Sequence, residues 1–114
     1  MSVGIETFFT FEIKPGEKYK VGVPLESIAR INQISVSSFP SEGRVTVYAY
    51  QPCSNTKVAI ASLTMNREET IPMNLVFNSS DSLVFSTEGD AISVTISGSV
   101  TNTGKLSINK VADF

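Results

Sequence analysis

Hydrophobic and polar residues alternate with a period of two along most of this 114-residue chain. Ile92, Val94 and Ile96 interleave with Ser93, Thr95 and Ser97, the pattern of a strand with one buried and one wet face. Val45, Val47 and Ala49 alternate with Thr46, Tyr48 and Tyr50 in the same way. Met73, Leu75 and Phe77 alternate around Asn74 and Val76, and Leu83 and Phe85 flank Val84. Phe9, Phe11 and Ile13 form an N-terminal strand, and Tyr19, Val21 and Val23 form a strand returning from the turn Lys14-Pro15-Gly16-Glu17. In that turn proline fixes φ at the second position and glycine supplies positive φ at the third.

Turn chemistry separates the remaining strands. Phe39-Pro40-Ser41-Glu42-Gly43 precedes the fourth, Gln51 to Thr56 links it to the fifth, and Asn78 to Ser82 precedes the seventh. Gly89-Asp90 reads as a tight hairpin turn. No segment sustains a helical stripe; Leu25 to Arg30 is too short and runs into β-branched residues. About eight short strands with turns every eight to twelve residues predict an all-β sandwich or barrel.

Two segments break the alternation. Val58-Ala59-Ile60-Ala61-Ser62-Leu63 is apolar on both faces, and Ile31 falls on the opposite face from Ile34 and Val36. Either a bulge shifts the register, or both faces are covered, the outer one by a neighbouring subunit. Periodicity leaves both readings open.

Length and composition set the class. A chain of this size is one domain, 1–114, burying roughly two-thirds of its extended surface. The formal net charge is −2 and charged residues make up 18% of the chain. Such a balance does not neutralise a phosphate backbone, so direct nucleic-acid binding is not expected. The lone Cys53 cannot form an intrachain disulfide, which fits a reducing compartment. No signal-peptide pattern or membrane-length apolar run occurs, so neither secretion nor membrane association is expected. Asn78-Ser79-Ser80 is then an accidental glycosylation match.

Candidate chemistry is sparse. With no histidine there is no Ser-His-Asp triad, no imidazole ligand and no base for Cys53. The carboxylates Glu68-Glu69 and Glu88/Asp90 sit in polar surroundings as solvated groups, and Asp81 and Asp90 lack the oxygen spacing of a calcium loop. The chain therefore reads as a non-enzymatic protein with no metal site and no cofactor. Tyr48 and Tyr50 share one face; without flanking cations they are better placed in a packed interface than under a base or sugar. Phe8, Phe9 and Phe11 read as core and contact residues.

Specific words along the chain resemble the nucleoplasmin-like domain family. Phe8-Phe9-Thr10-Phe11-Glu12-Ile13-Lys14-Pro15-Gly16, followed by Tyr19, is similar to that family's opening strand and turn. Arg30-Ile31-Asn32-Gln33-Ile34-Ser35-Val36, Val58 to Leu63, Pro72 to Phe77, Val84 to Gly89 and Val94 to Gly98 resemble its later strands, in order, over about residues 8–100. The likeness leans toward the branch that opens nucleolar FK506-binding immunophilins and plant HD-tuin proteins. Residues 101–114 form an extra C-terminal segment in which Leu106 and Ile108 alternate as in a strand.

The resemblance implies an eight-stranded jelly roll assembling as a ring of five, sometimes two rings stacked into a decamer. It further implies a histone chaperone core in the nucleus or nucleolus, with the pair of histones 2A and 2B or the pair of histones 3 and 4 as partners. Pooled charge over five copies would then meet basic histones through Glu42, Glu68, Glu69, Asp81, Glu88 and Asp90. The subunit interface would draw on Ile31, Val58, Ile60, Leu63, Tyr48 and Tyr50. Three features depart from the family: no acidic tract is present, Ser99-Val100 replaces an aromatic, and Arg30 replaces a strand histidine. These departures leave a scaffold that oligomerises a chromatin complex without touching histones as a rival, beside an unrelated jelly-roll module using Tyr48 and Tyr50.

Overall fold

A computed structural model describes residues 7–23, 27–38, 42–51, 56–78, 83–101 and 107–111. These contain nine strands and no helix: β1 (Thr7–Ile13), β2 (Lys18–Gly22), β3 (Ile28–Val36), β4 (Arg44–Gln51), β5 (Thr56–Thr64), β6 (Thr70–Asn78), β7 (Leu83–Gly89), β8 (Val94–Val100) and β9 (Ser107–Val111). Eight match the expected jelly roll. The ninth comes from the C-terminal segment and pairs antiparallel with β2.

The strands form two sheets, one ordered β1-β8-β3-β6 and the other β5-β4-β7-β2-β9. Apart from the β4–β5 pair, each successive strand lies in the other sheet, so the chain shuttles across the sandwich. This corrects two local readings. The Lys14–Glu17 turn forms as expected, with Gly16 at φ 81° and the Glu17 amide donating to the Lys14 carbonyl at 3.0 Å. It nevertheless carries the chain from β1 to β2 in the opposite sheet. Gly89-Asp90 is likewise no hairpin, because β7 pairs with β2 and β4 while β8 pairs with β1 and β3. Turn residues fix the local bend; long-range pairing decides which sheet receives the next strand.

The alternating apolar positions meet between the sheets. Phe11 and Phe77 from one sheet pack against Tyr19 and Phe85 from the other, with ring centroids 6.0–6.3 Å apart in tilted or edge contacts. Ile13, Ile31, Ile34, Val45, Val47, Leu63, Ile92, Val94 and Ile96 complete the fully buried centre. Each such side chain contributes roughly 1.5–3 kcal/mol relative to exposure.

Bulges account for the two broken alternations. The pairing of β3 shifts register between Ile31 and Gln33 against both neighbours, which returns Ile31 to the core side with Ile34 and Val36. On β5, Val47 faces Ala61 and Tyr48 faces Ala59, so Ile60 is the extra residue. Ile31 and Leu63 are both fully buried inside their own chain. Their expected place in a subunit interface is therefore corrected: they are core. At the Ile31 bulge the backbones close up, and a Cβ on Gly98 would lie 2.0 Å from the Arg30 carbonyl oxygen, so only glycine fits.

Candidate functional site

The shuttling topology sorts the loops into two sets at opposite ends of the sandwich. The links β1–β2, β3–β4, β5–β6 and β7–β8 gather at one end, where backbone hydrogen bonds tie the last three together. Met65 donates to the Gly43 carbonyl at 2.9 Å, Val36 to that of Glu69 at 2.9 Å, Ser37 to that of Ser93 at 2.8 Å and Asp90 to that of Arg44 at 2.9 Å. All seven carboxylates among the described residues (Glu12, Glu17, Glu42, Glu68, Glu69, Glu88 and Asp90) lie on these loops or the strand ends feeding them. They outnumber the cations Lys14, Lys18, Arg44 and Arg67 of the same end. Five of the six carboxylates expected to meet a partner thus share one end; Asp81 lies outside the described residues.

Their duties differ. The Asp90 carboxylate accepts the Arg44 amide at 2.8 Å and pins the start of β4. The Glu69 carboxylate accepts the Asn66 amide at 2.9 Å, holding a turn in which Asn66 adopts φ 67°. Glu88 is ion-paired with Lys57, whose ammonium lies 4.4 Å from the Tyr48 ring centroid. That contact commits Glu88 to its own sheet and gives Tyr48 a cation to cover. Glu42 and Glu68 are exposed, and their carboxylates make no hydrogen bond or ion pair with another described residue. They are the carboxylates most open to a basic partner. Glu12 and Glu17 also belong to this end, accepting from Ser37 and Tyr19 at 2.7 and 2.8 Å; no one-dimensional signal marks them, because only the crossing topology brings them there.

A second region is apolar and lies along the flanks. Among the described residues Phe8 is 68% exposed, Val58 53%, Val76 47% and Ile28 46%. Phe8 is expected from the sequence in the core or a contact, but its outward direction follows from the alternation that turns Phe9 and Phe11 inward. Val58 pairs with Ala49 and shares its face, yet Ala49 is buried and Val58 is exposed. Beside it, Ala49, Ile60, Leu75 and Leu83 line a groove of about 290 Å³ between the edges β5 and β6. Val58 and Ile60 thus remain available as interface residues. Tyr48 and Tyr50 face outward on the other side of β4, half-buried; burial raises the Tyr50 hydroxyl above its usual pKa, and the nearby Lys57 charge partly opposes this.

No helix of the described residues is long and apolar enough to cross a membrane. Those residues also contain no group of three His, Cys, Asp or Glu side chains that could hold a metal.

Two packed antiparallel sheets with jelly-roll crossings define a β-sandwich whose flank carries exposed apolar side chains. The nucleoplasmin-like domain model matches residues 8–101, and the chain belongs to that family. No curated protein matches it by sequence. Among solved structures it is similar to the Drosophila NLP core, studied for pentamer formation and histone binding. That likeness has a TM-score of 0.72 at 16% identity, covering 82% of this chain and 96% of the other. It is also similar to the nucleoplasmin-like N-terminal domain of Drosophila FKBP39, with a TM-score of 0.65 at 18% identity, covering 88% of this chain and 93% of the other.

Proposed function

We propose that this chain is the ring-forming, non-enzymatic core of a nuclear or nucleolar histone chaperone. Its acidic end meets basic histones, either the pair 2A and 2B or the pair 3 and 4. Its flanks hold five copies together, with a decamer as a stacked form. The observation that carries this reading is the pair of exposed carboxylates, Glu42 and Glu68, on hydrogen-bonded loops at one end of the sandwich, with exposed apolar side chains on the flanks. Five copies pointing the same way add their modest charges into one face. Family membership and the pentamer formation and histone binding studied in the Drosophila NLP core support the same assignment.

The test is a pull-down of both recombinant histone pairs by the chain across a salt series. Capture at about 0.15 M salt that falls steeply by about 0.5 M is expected for exposed charges. Failure to capture either histone pair at low salt rejects the reading. One observation favours a second function, that of a scaffold for a chromatin complex which does not itself touch histones. Asp90, Glu69 and Glu88 are already engaged within the chain, which leaves little free charge per copy. A ring that forms but captures no histone selects the scaffold.

A further inference from the structure

We propose that the outer face of the five-stranded sheet carries a binding site for a phosphate group, formed by Lys18, Lys57, Ser86 and Tyr50. These four residues line one pocket of about 210 Å³. Strand register brings them together. Lys18 on β2 stands opposite Ser86 on β7, Ser86 opposite Tyr48 on β4, and Tyr50 on β4 opposite Lys57 on β5. Their chain neighbours Tyr19, Phe85 and Ala49 pack into the core, so these side chains point outward. The Lys57 ammonium lies 4.4 Å from the Tyr48 ring centroid, which carries it from the Tyr50 row toward Ser86. Ser86 is only 5% exposed and lines the pocket, yet its hydroxyl makes no hydrogen bond with another described residue. Polar groups at such depth normally have a partner. A ligand oxygen in the pocket would supply one.

The donor set selects the ligand. Lys18 and Lys57 contribute two positive charges to the pocket, although the whole chain has a formal net charge of −2. Glu88 is ion-paired with Lys57, but an ammonium has three donors and can hold Glu88 and a ligand oxygen together. Burial raises the pKa of the Tyr50 hydroxyl, which keeps it protonated and able to donate. Two point cations, a phenol and a recessed hydroxyl suit the separate oxygens of a tetrahedral dianion. A planar carboxylate is best met by the fork of an arginine, and among the described residues no arginine lines this pocket. The cations repel a lysine-rich histone tail, so this site is separate from the carboxylates assigned to histones and does not depend on that assignment. Free phosphate and a phosphorylated side chain present the same group to it.

The test is calorimetric titration of the unaltered chain with inorganic phosphate and, separately, with O-phosphoserine. It is run at a fixed ionic strength of about 0.15 M in chloride, and at about pH 7.5, above the second phosphate pKa of about 6. Saturable binding is expected. Lys18→Met and Lys57→Met, which keep the apolar stems, should each lower the affinity about tenfold, and Ser86→Ala about fivefold. Glu88→Gln removes the competing charge and should raise the affinity. Lys20→Ala deletes a lysine of β2 that does not line the pocket, and should change the affinity less than about twofold. Melting profiles verify that each variant keeps the fold. Tighter binding of O-phosphoserine than of phosphate supports the site and assigns it to a phosphorylated side chain; equal or weaker binding supports it as a site for the free anion. Absence of saturation overturns the proposal. So does a loss in Lys20→Ala as large as that in Lys18→Met, which would show diffuse attraction to a basic face, and so does full affinity in both Ser86→Ala and Lys57→Met.

Discussion

The charged end and the apolar flank of this sandwich use the same strands in opposite ways. At the charged end, strands terminate in loops whose backbone groups are satisfied by one another and by the carboxylates of Asp90 and Glu69. Polar side chains there hold structure first, and of the carboxylates among the described residues only Glu42 and Glu68 remain uncommitted. On the flank the strands pair with one bulge, at Ile60, and Phe8, Val58 and Val76 are exposed. The charged end is largely satisfied within the chain and can present charge; the flank leaves apolar side chains exposed, as the proposed assembly requires. Large exposed apolar patches in soluble domains usually mark such contacts.

The largest expected effect comes from confusing flank with core. Leu63→Ala, at a fully buried position of β5, should cost about 2–5 kcal/mol in urea unfolding. Val58→Ala, on the same strand but half exposed, should cost well under about 1 kcal/mol when measured at dilutions that keep the chain monomeric. Comparable losses at the two positions would erase the distinction between core and flank.

Next in size is the charged end. The double reversal Glu42→Lys/Glu68→Lys should weaken histone capture by roughly tenfold or more, about 1.4 kcal/mol. It should leave the melting profile nearly unchanged, because neither side chain holds the fold. Asp90→Ala should do the reverse, costing about 1 kcal/mol of stability through the lost Arg44 contact, with a smaller change in histone capture. If Asp90→Ala is silent in unfolding while Glu42→Lys/Glu68→Lys destabilises, the division of labour is wrong.

The smallest effect is expected at Lys57. Its ion pair with Glu88 is about half exposed, so Lys57→Ala should change stability by less than about 0.5 kcal/mol. It should also release Glu88 and modestly strengthen histone capture at low salt. Weakened capture would show that Lys57 serves the partner rather than restraining the carboxylate.

Much of the fold was legible in the sequence because period-two alternation is a direct imprint of a half-buried strand. The runs around Val45, Met73, Val84 and Ile92 each marked their strand and its inner face. Sheet membership was not legible, since Pro15-Gly16 and Gly89-Asp90 describe local bends and say nothing of long-range partners. The apolar run Val58–Leu63 showed that something departed from a simple strand, but a bulge at Ile60 and a covered outer face leave the same signature in one dimension. The carboxylates of the charged end were partly visible as residue types. That Glu12 and Glu17 join Glu42, Glu68, Glu69 and Asp90 depends on the crossing topology. Phe8 could have been assigned outward from its alternation with Phe9; its position opposite an apolar groove required the whole sandwich.

One measurement bears on both regions together: native mass spectrometry of the unaltered chain mixed with the dimer of histones 2A and 2B at about 0.15 M ionic strength. Species of five chains carrying histone dimers are expected, with no single chain bound to histone. Single chains as the dominant species, with histones unbound, would contradict the assignment of one region to assembly and the other to histone capture.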